Sequence, residues 1–142
     1  MAQTPIRVVI VDDHEIVREG WKLILDQSSN ISVIEECASG AEAIEAATRL
    51  KPDVMLMDIN MSPVNGFEAT RKILKLSPDI KIIAVSVNDQ PGYARNMLQL
   101  GAKGYVTKNS THLELLEAIT EVQKGRVFLS RELKERWSPD AG

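Results

Sequence analysis

One cysteine, Cys37, is present among 142 residues. A single thiol excludes an internal disulfide and suits a reducing compartment, so a cytoplasmic location is expected. No apolar run is long enough to cross a bilayer, and Met1 to Arg7 lacks the apolar stretch of a signal peptide, so no membrane partner is expected. Charge of one sign is lacking too. Seventeen Lys and Arg stand against twenty Asp and Glu, a net charge of −3, which leaves no electrostatic footprint for nucleic acid within this chain. There is no internal repeat and no low-complexity segment. What remains, 44% hydrophobic and 26% charged, is ordinary for a globular domain, and the length allows one domain and little more than a tail.

The pattern that is present centres on Val54-Met55-Leu56-Met57-Asp58. Four apolar residues ending on a carboxylate, bounded by Pro52 and by the polar stretch Asn60 to Gly66, read as a strand buried on both faces. Ile6 to Val11 is a second such run, closed by Asp12-Asp13. Ile31 to Cys37 is shorter in apolar content and reads as an edge strand. Lys81 to Ser86 and Lys103 to Thr107 complete five strands, the last closed by Lys108. Between them lie helical spacings: His14 to Gln27, Ala41 to Leu50, Phe67 to Leu76, a helix with Ala94 and Met97 inward that stops at Gly101, and one burying Leu115, Ala118, Ile119 and Val122 that stops at Gly125. Asp12 or Asp13 is a candidate cap for the first helix, Ser110 or Thr111 for the last. A weak helical stretch around Arg131 to Trp137 and a frayed Ser138 to Gly142 close the chain. Strict alternation with crossovers long enough for helices predicts a doubly wound α/β sandwich on a five-stranded parallel sheet, with helices on both faces.

In such a sheet the polar strand ends converge on one rim. Asp12, Asp13 and Asp58 would meet there with Ser86 and Lys108. Three carboxylates in one cleft repel one another and invite a hard divalent cation; Mg²⁺ takes a few carboxylates and keeps positions for phosphate oxygens. A lysine and a hydroxyl beside them could hold further phosphate oxygens. The parts suit phosphoryl transfer to a carboxylate, with Asp58 the best nucleophile.

These residues resemble the receiver domain of bacterial two-component response regulators. Val9-Ile10-Val11-Asp12-Asp13-His14 resembles the family's acidic-pair strand, and Leu56-Met57-Asp58-Ile59-Asn60-Met61 its phospho-acceptor strand. Ser86 falls at the switch hydroxyl, Lys108 at the lysine, and Tyr105 at the switch aromatic. The resemblance implies a flavodoxin-like order 2-1-3-4-5 and a receiver over residues 5–125, with 126–142 a linker or tail. It implies Mg²⁺ held by the side chains of Asp13 and Asp58, by Asp12 through water and by the Asn60 carbonyl. Lys108 and Ser86 would bind phosphate oxygens and Tyr105 would follow Ser86 inward, while Asn60 and Asn88 tune self-dephosphorylation. It further implies a sensor histidine kinase as donor and no turnover chemistry beyond self-phosphorylation and self-dephosphorylation. The output would run through the fourth helix, fifth strand and fifth helix, with a homodimer on phosphorylation. Asp13 to Gly20 and Gly101 to Tyr105 look like the branch with a C-terminal LuxR-type helix-turn-helix, so DNA would be reached only through a domain beyond this chain, and the expectation is a receiver cut from a transcription factor. Two positions depart from the pattern. Ser62 stands where the family has proline, which here is Pro63, and Val87 follows the switch hydroxyl where many receivers carry a smaller residue.

Other readings set the tests. A stand-alone receiver would act by protein–protein contacts. A haloacid-dehalogenase-type phosphohydrolase would want an acid at Asn60, and a flavin or nucleotide module a Gly-rich or hydroxyl-rich loop where Asp12-Asp13-His14-Glu15 stands. Taken singly, Ser86 and Lys108 are a strand-end hydroxyl and a solvated charge, and Tyr105 is core. His14 and His112 read as surface or capping residues, since hard Mg²⁺ disfavours imidazole; Trp21, Cys37, Met55 and Met57 read as packing.

Overall fold

Apolar strands alternating with amphipathic helices build the described part of the chain. The computed structural model describes residues 4–136. Its elements are β1 (Ile6–Val11), α1 (Glu15–Asp26), β2 (Ile31–Cys37), α2 (Gly40–Leu50), β3 (Val54–Asp58), α3 (Gly66–Leu76), β4 (Lys81–Ser86), α4 (Pro91–Leu100), β5 (Gly104–Thr107), α5 (His112–Gln123), β6 (Phe128–Leu129) and α6 (Arg131–Arg136). The strands form one sheet in the order β2-β1-β3-β4-β5-β6, and every pairing is parallel. The chain steps from β1 outward to β2, then back past β1 to β3. That reversal opens a crevice at the carboxyl ends of β1 and β3.

Period-two alternation along the strands feeds two cores. Val9, Val11, Met55, Met57, Ile82, Ala84 and Tyr105 pack on one face with Ala43, Ala46, Ala69, Ile73 and Met97 of α2 to α4. Val8, Ile10, Leu56, Ile83, Val85 and Val106 pack on the other with Trp21 and Leu25 of α1 and Leu115, Ala118, Ile119 and Val122 of α5. Both faces of the inner strands are covered, which is why they read as unbroken apolar runs.

Two expectations are corrected. The order 2-1-3-4-5 is present, but a sixth strand extends it. Phe128 N–H donates to Lys103 O at 2.9 Å and Ser130 N–H to Tyr105 O at 3.0 Å, and Leu133 of α6 is fully buried in the first core. A two-residue strand is too short to give a period in sequence. Second, neither Asp12 nor Asp13 caps α1; His14 holds that position and makes no side-chain cap bond. The last main helix does start on Thr111, in a reciprocal capping box with Glu114. Trp137 and the frayed end Ser138 to Gly142 lie outside the described residues.

Candidate functional site

Strands β1, β3 and β4 each lead into a turn pinned by a polar side chain at the strand's end. Asp12 Oδ1 accepts the His14 N–H at 2.9 Å, Asp58 Oδ1 the Asn60 N–H at 3.0 Å, and Ser86 Oγ the Asn88 N–H at 3.0 Å. These are the local turns that Asp and Ser favour. They stop the strand while keeping the side chain on the rim. Backbone bonds tie neighbouring rims together, Asp12 N–H to Cys37 O at 3.0 Å and Lys108 N–H to Ser86 O at 2.8 Å.

Asp12 and Asp58 are each only 1% exposed. Buried carboxylates require compensation. Lys108 Nζ supplies part of it, lying 3.0 Å from Asp12 Oδ2 and 3.6 Å from Asp58 Oδ2. One ammonium between two acids leaves a deficit, and Asp58 Oδ2 is buried without a hydrogen bond. Burial therefore pushes the Asp58 carboxyl above the usual carboxylate range, helped by the Asp12 charge and opposed by the Asn60 N–H and Lys108. Asp13 stands at the open side of the crevice, 2.9 Å from His14 Nδ1. One ligand atom from each of Asp12, Asp13, His14 and Asp58 lies within 4.8 Å of all the others. Such a set, with an orphaned oxygen in its buried wall, has the donor chemistry for one divalent cation.

From Asp58 a run of hydrogen bonds leads to Tyr105. Asn60 N–H donates to Asp58 Oδ1, Ser86 Oγ donates to Asn60 Oδ1 at 3.0 Å, Asn88 N–H donates to Ser86 Oγ, and the Tyr105 hydroxyl donates to Asn88 O at 2.8 Å. The Tyr105 ring is already fully buried, although the family resemblance implies an inward swing. Its burial in the core and its bond to Asn88 hold it there.

The sequence-predicted residues therefore divide. Asp12, Asp13, Asp58 and Lys108 share one cleft, while Asn60, Ser86 and Tyr105 form the run leading away from it. Val87 is 71% exposed beside Ser86, and the Ser62–Pro63 peptide is cis. Two residues escaped sequence reasoning. Arg18 of α1 donates through Nη1 to Asp12 O at 2.6 Å and lies 3.5 Å from Glu36, so it fastens the acidic turn to β2. Its position one turn into an amphipathic helix behind an acidic pair was the available signal. Gly66 starts α3 so close to β3 that a Cβ would lie 2.5 Å from Asp58 O and Ile59 Cα. The Asn65-Gly66 cap pair marked the helix start but not that approach.

A buried acid at the centre of a parallel sheet, an acidic pair on the adjacent strand, a strand-end hydroxyl and a lysine after β5 define a class, the phospho-acceptor receivers. The model of the response regulator receiver domain matches residues 8–120, and the chain belongs to that family. Among curated relatives, it is 40% identical over 131 residues to response regulator GacA of Pseudomonas viridiflava, covering 92% of this chain and 61% of that one. It is 39% identical over 127 residues to transcriptional regulatory protein DegU of Brevibacillus brevis, covering 89% and 54%. The crystal structure of a LuxR-family two-component response regulator from Aurantimonas sp. SI85-9A1 superimposes with a TM-score of 0.90 at 32% identity, covering 94% of this chain and 95% of that one. The chain thus spans 54% to 61% of the length of these two curated relatives. No helix among the described residues is long and apolar enough to cross a membrane.

Proposed function

We propose that Asp58 accepts a phosphoryl group from the phosphohistidine of a sensor kinase. The observation that carries this is the buried, unbonded Asp58 Oδ2 beside Lys108 in a ring of acids. In the transfer the Asp58 oxygen forms a bond to phosphorus as the phosphorus–imidazole bond breaks, and the imidazole leaves with its electron pair. Mg²⁺ would be held by the side chains of Asp13 and Asp58, by Asp12 through water and by the Asn60 carbonyl, and when bound it neutralises charge on the moving group. Lys108, now 3.0 Å from Asp12 Oδ2, would take a phosphate oxygen. Ser86 Oγ, now on Asn60 Oδ1, must leave that acceptor to reach another.

That departure is the switch. Asn88 depends on Ser86 through its N–H and holds Tyr105 through its carbonyl, so motion at Ser86 is felt on β5. The output face is α4, β5 and α5, with residues 5–125 acting as the receiver. By similarity to the transcriptional regulatory protein DegU, the signal passes to a DNA-binding domain C-terminal to residue 142, through a phosphorylation-dependent homodimer, in the cytoplasm.

The test is incubation with Mg²⁺ and acetyl phosphate, with Asp58→Asn as control. The expected result is slow modification reaching one phosphoryl group per chain, absent in the variant. Continuous rapid release of phosphate would instead make the protein a hydrolase. Asn60 argues against that outcome, since it offers no acid two residues after the nucleophile.

A further inference from the structure

We infer that Arg18 of α1 is a positioning residue for the phosphoryl-transfer site. It fixes the peptide between Asp12 and Asp13, and so presents the Asp13 carboxylate to Mg²⁺. The inference rests on the reading above that these acids hold the cation, and adds to it a residue from outside the crevice.

Every polar group of Asp12 is engaged. Its N–H donates to Cys37 O at 3.0 Å, Oδ1 accepts the His14 N–H at 2.9 Å, and Oδ2 lies 3.0 Å from Lys108 Nζ. Its carbonyl accepts from Arg18 Nη1 at 2.6 Å. Asp13 is held differently. Among the described residues its carboxylate pairs only with the ring of His14, 2.9 Å away, and that side chain is 66% exposed. Side-chain contacts therefore do little to aim Asp13, and the backbone must do it. The Asp12 carbonyl belongs to the peptide unit that leads into Asp13, and that unit is planar. Gripping the oxygen fixes the plane from which Asp13 departs.

Arg18 is itself braced. Its side chain is 16% exposed, and Nε lies 3.5 Å from Glu36 Oε1 on β2. Its own N–H donates to His14 O at 3.1 Å, which ties the start of α1 to the same turn. The guanidinium thus links α1, β2 and the acidic turn, and its planar fork and long reach suit that task better than an ammonium would. Two plainer roles would draw on the same contacts. As a counter-charge alone, Arg18 would repel an incoming cation, and its removal would tighten Mg²⁺ binding. As an anchor of α1 to β2 alone, its loss would lower stability and leave Mg²⁺ affinity where it was. As a positioning residue, its loss weakens Mg²⁺ binding. The direction of the change separates the three.

Calorimetric titration of the full chain with MgCl₂ reads that direction, for wild type, Arg18→Met and Arg18→Lys. Affinity is expected to fall at least about tenfold in Arg18→Met, since groups that orient a metal ligand are worth roughly 10–100-fold. Arg18→Lys keeps the charge on a shorter side chain without the fork, and its affinity is expected to fall by a smaller factor. With acetyl phosphate, Arg18→Met should need more Mg²⁺ for half-maximal modification, yet reach the wild-type rate within about twofold once Mg²⁺ saturates. Unchanged or tighter Mg²⁺ binding in Arg18→Met overturns the inference, even where its urea midpoint in metal-free buffer drops. Should Arg18→Met fail to fold, wild-type affinity in Arg18→Lys overturns it instead. A wild type that does not bind Mg²⁺ brings down the phosphoryl reading and this inference with it, whereas normal wild-type binding with unmoved variants sinks the role of Arg18 alone.

Discussion

Asp58 has its two oxygens in different circumstances, one on the Asn60 N–H and one with no hydrogen bond. A buried polar group left unpaired costs about 1–3 kcal/mol, more when charged. Asp58→Asn removes the charge, so in metal-free buffer at pH 7 the variant is expected to unfold at higher urea than wild type, by about 1–3 kcal/mol. Because burial raises the carboxyl in the folded chain, its stabilising share is full below the unfolded value and is lost as pH rises through the folded one. The gain of the variant should therefore shrink in acid. Mg²⁺ at about 100 times its Kd should stabilise wild type by about 2.7 kcal/mol and leave Asp58→Asn unmoved. Cys37 is a second group whose titration burial displaces. It is 1% exposed and its thiol is pushed up to about 12, by burial first and then by Glu35, Glu42 and Glu45. Iodoacetamide at pH 8 should leave the folded chain unlabelled and modify it fully in denaturant. Above the ordinary value of 9.0 only the unfolded thiol ionises, so stability should decline from there toward about 12. At this scale much of the site was legible: a carboxylate ending an apolar strand announced Asp58. Lys108 alone announced nothing, and the link from Ser86 to Asn60 joins residues 26 positions apart, beyond any local pattern.

Elements β6 and α6 bind the segment after Gly125 to the sheet. Leu133 is fully buried, Glu132 Oε2 accepts from Thr107 Oγ1 at 3.2 Å, and Arg136 lies 2.7 Å from Asp89 in the loop after β4. Leu133→Ala should cost about 2–5 kcal/mol, a core penalty, where a loose tail would cost nothing. Equilibrium denaturation measures it. Short elements of this kind hide in sequence because two strand residues and six helical ones give too few positions to establish a period. Helix α3 shows the opposite case, an element found in sequence whose placement was not. Gly66→Ala would drive a methyl into the Asp58 carbonyl and Ile59, so it should lose about 1–3 kcal/mol and weaken Mg²⁺ binding, as titration calorimetry would report.

Taken whole, the molecule is a two-core sandwich with its acidic cluster on one rim. The parallel sheet followed from strand spacing alone, since each crossover had room for a helix. Which rim residues bond to one another did not follow, because that depends on the register Asp58↔Val85 and Ser86↔Thr107. Register also dictates a global test. Beryllofluoride should alter amide exchange between Asn88 and Tyr105 in wild type. Asn60→Ala keeps the backbone carbonyl but deletes the acceptor for Ser86. In that variant Ser86 should be freer beforehand, and the added ligand should change exchange less.

The run from Asp58 through Asn60, Ser86 and Asn88 to Tyr105 engages the main chain at Asn60 and again at Asn88, with a side-chain link through Ser86 between them. Such a tether works like a cord knotted at each peptide: pulling on one end drags the backbone at every knot, not merely the next side chain. Occupation of the pocket should thus be registered as a shift of whole loop segments, and evolution could retune the response by lengthening one knot without touching the acid that receives the load.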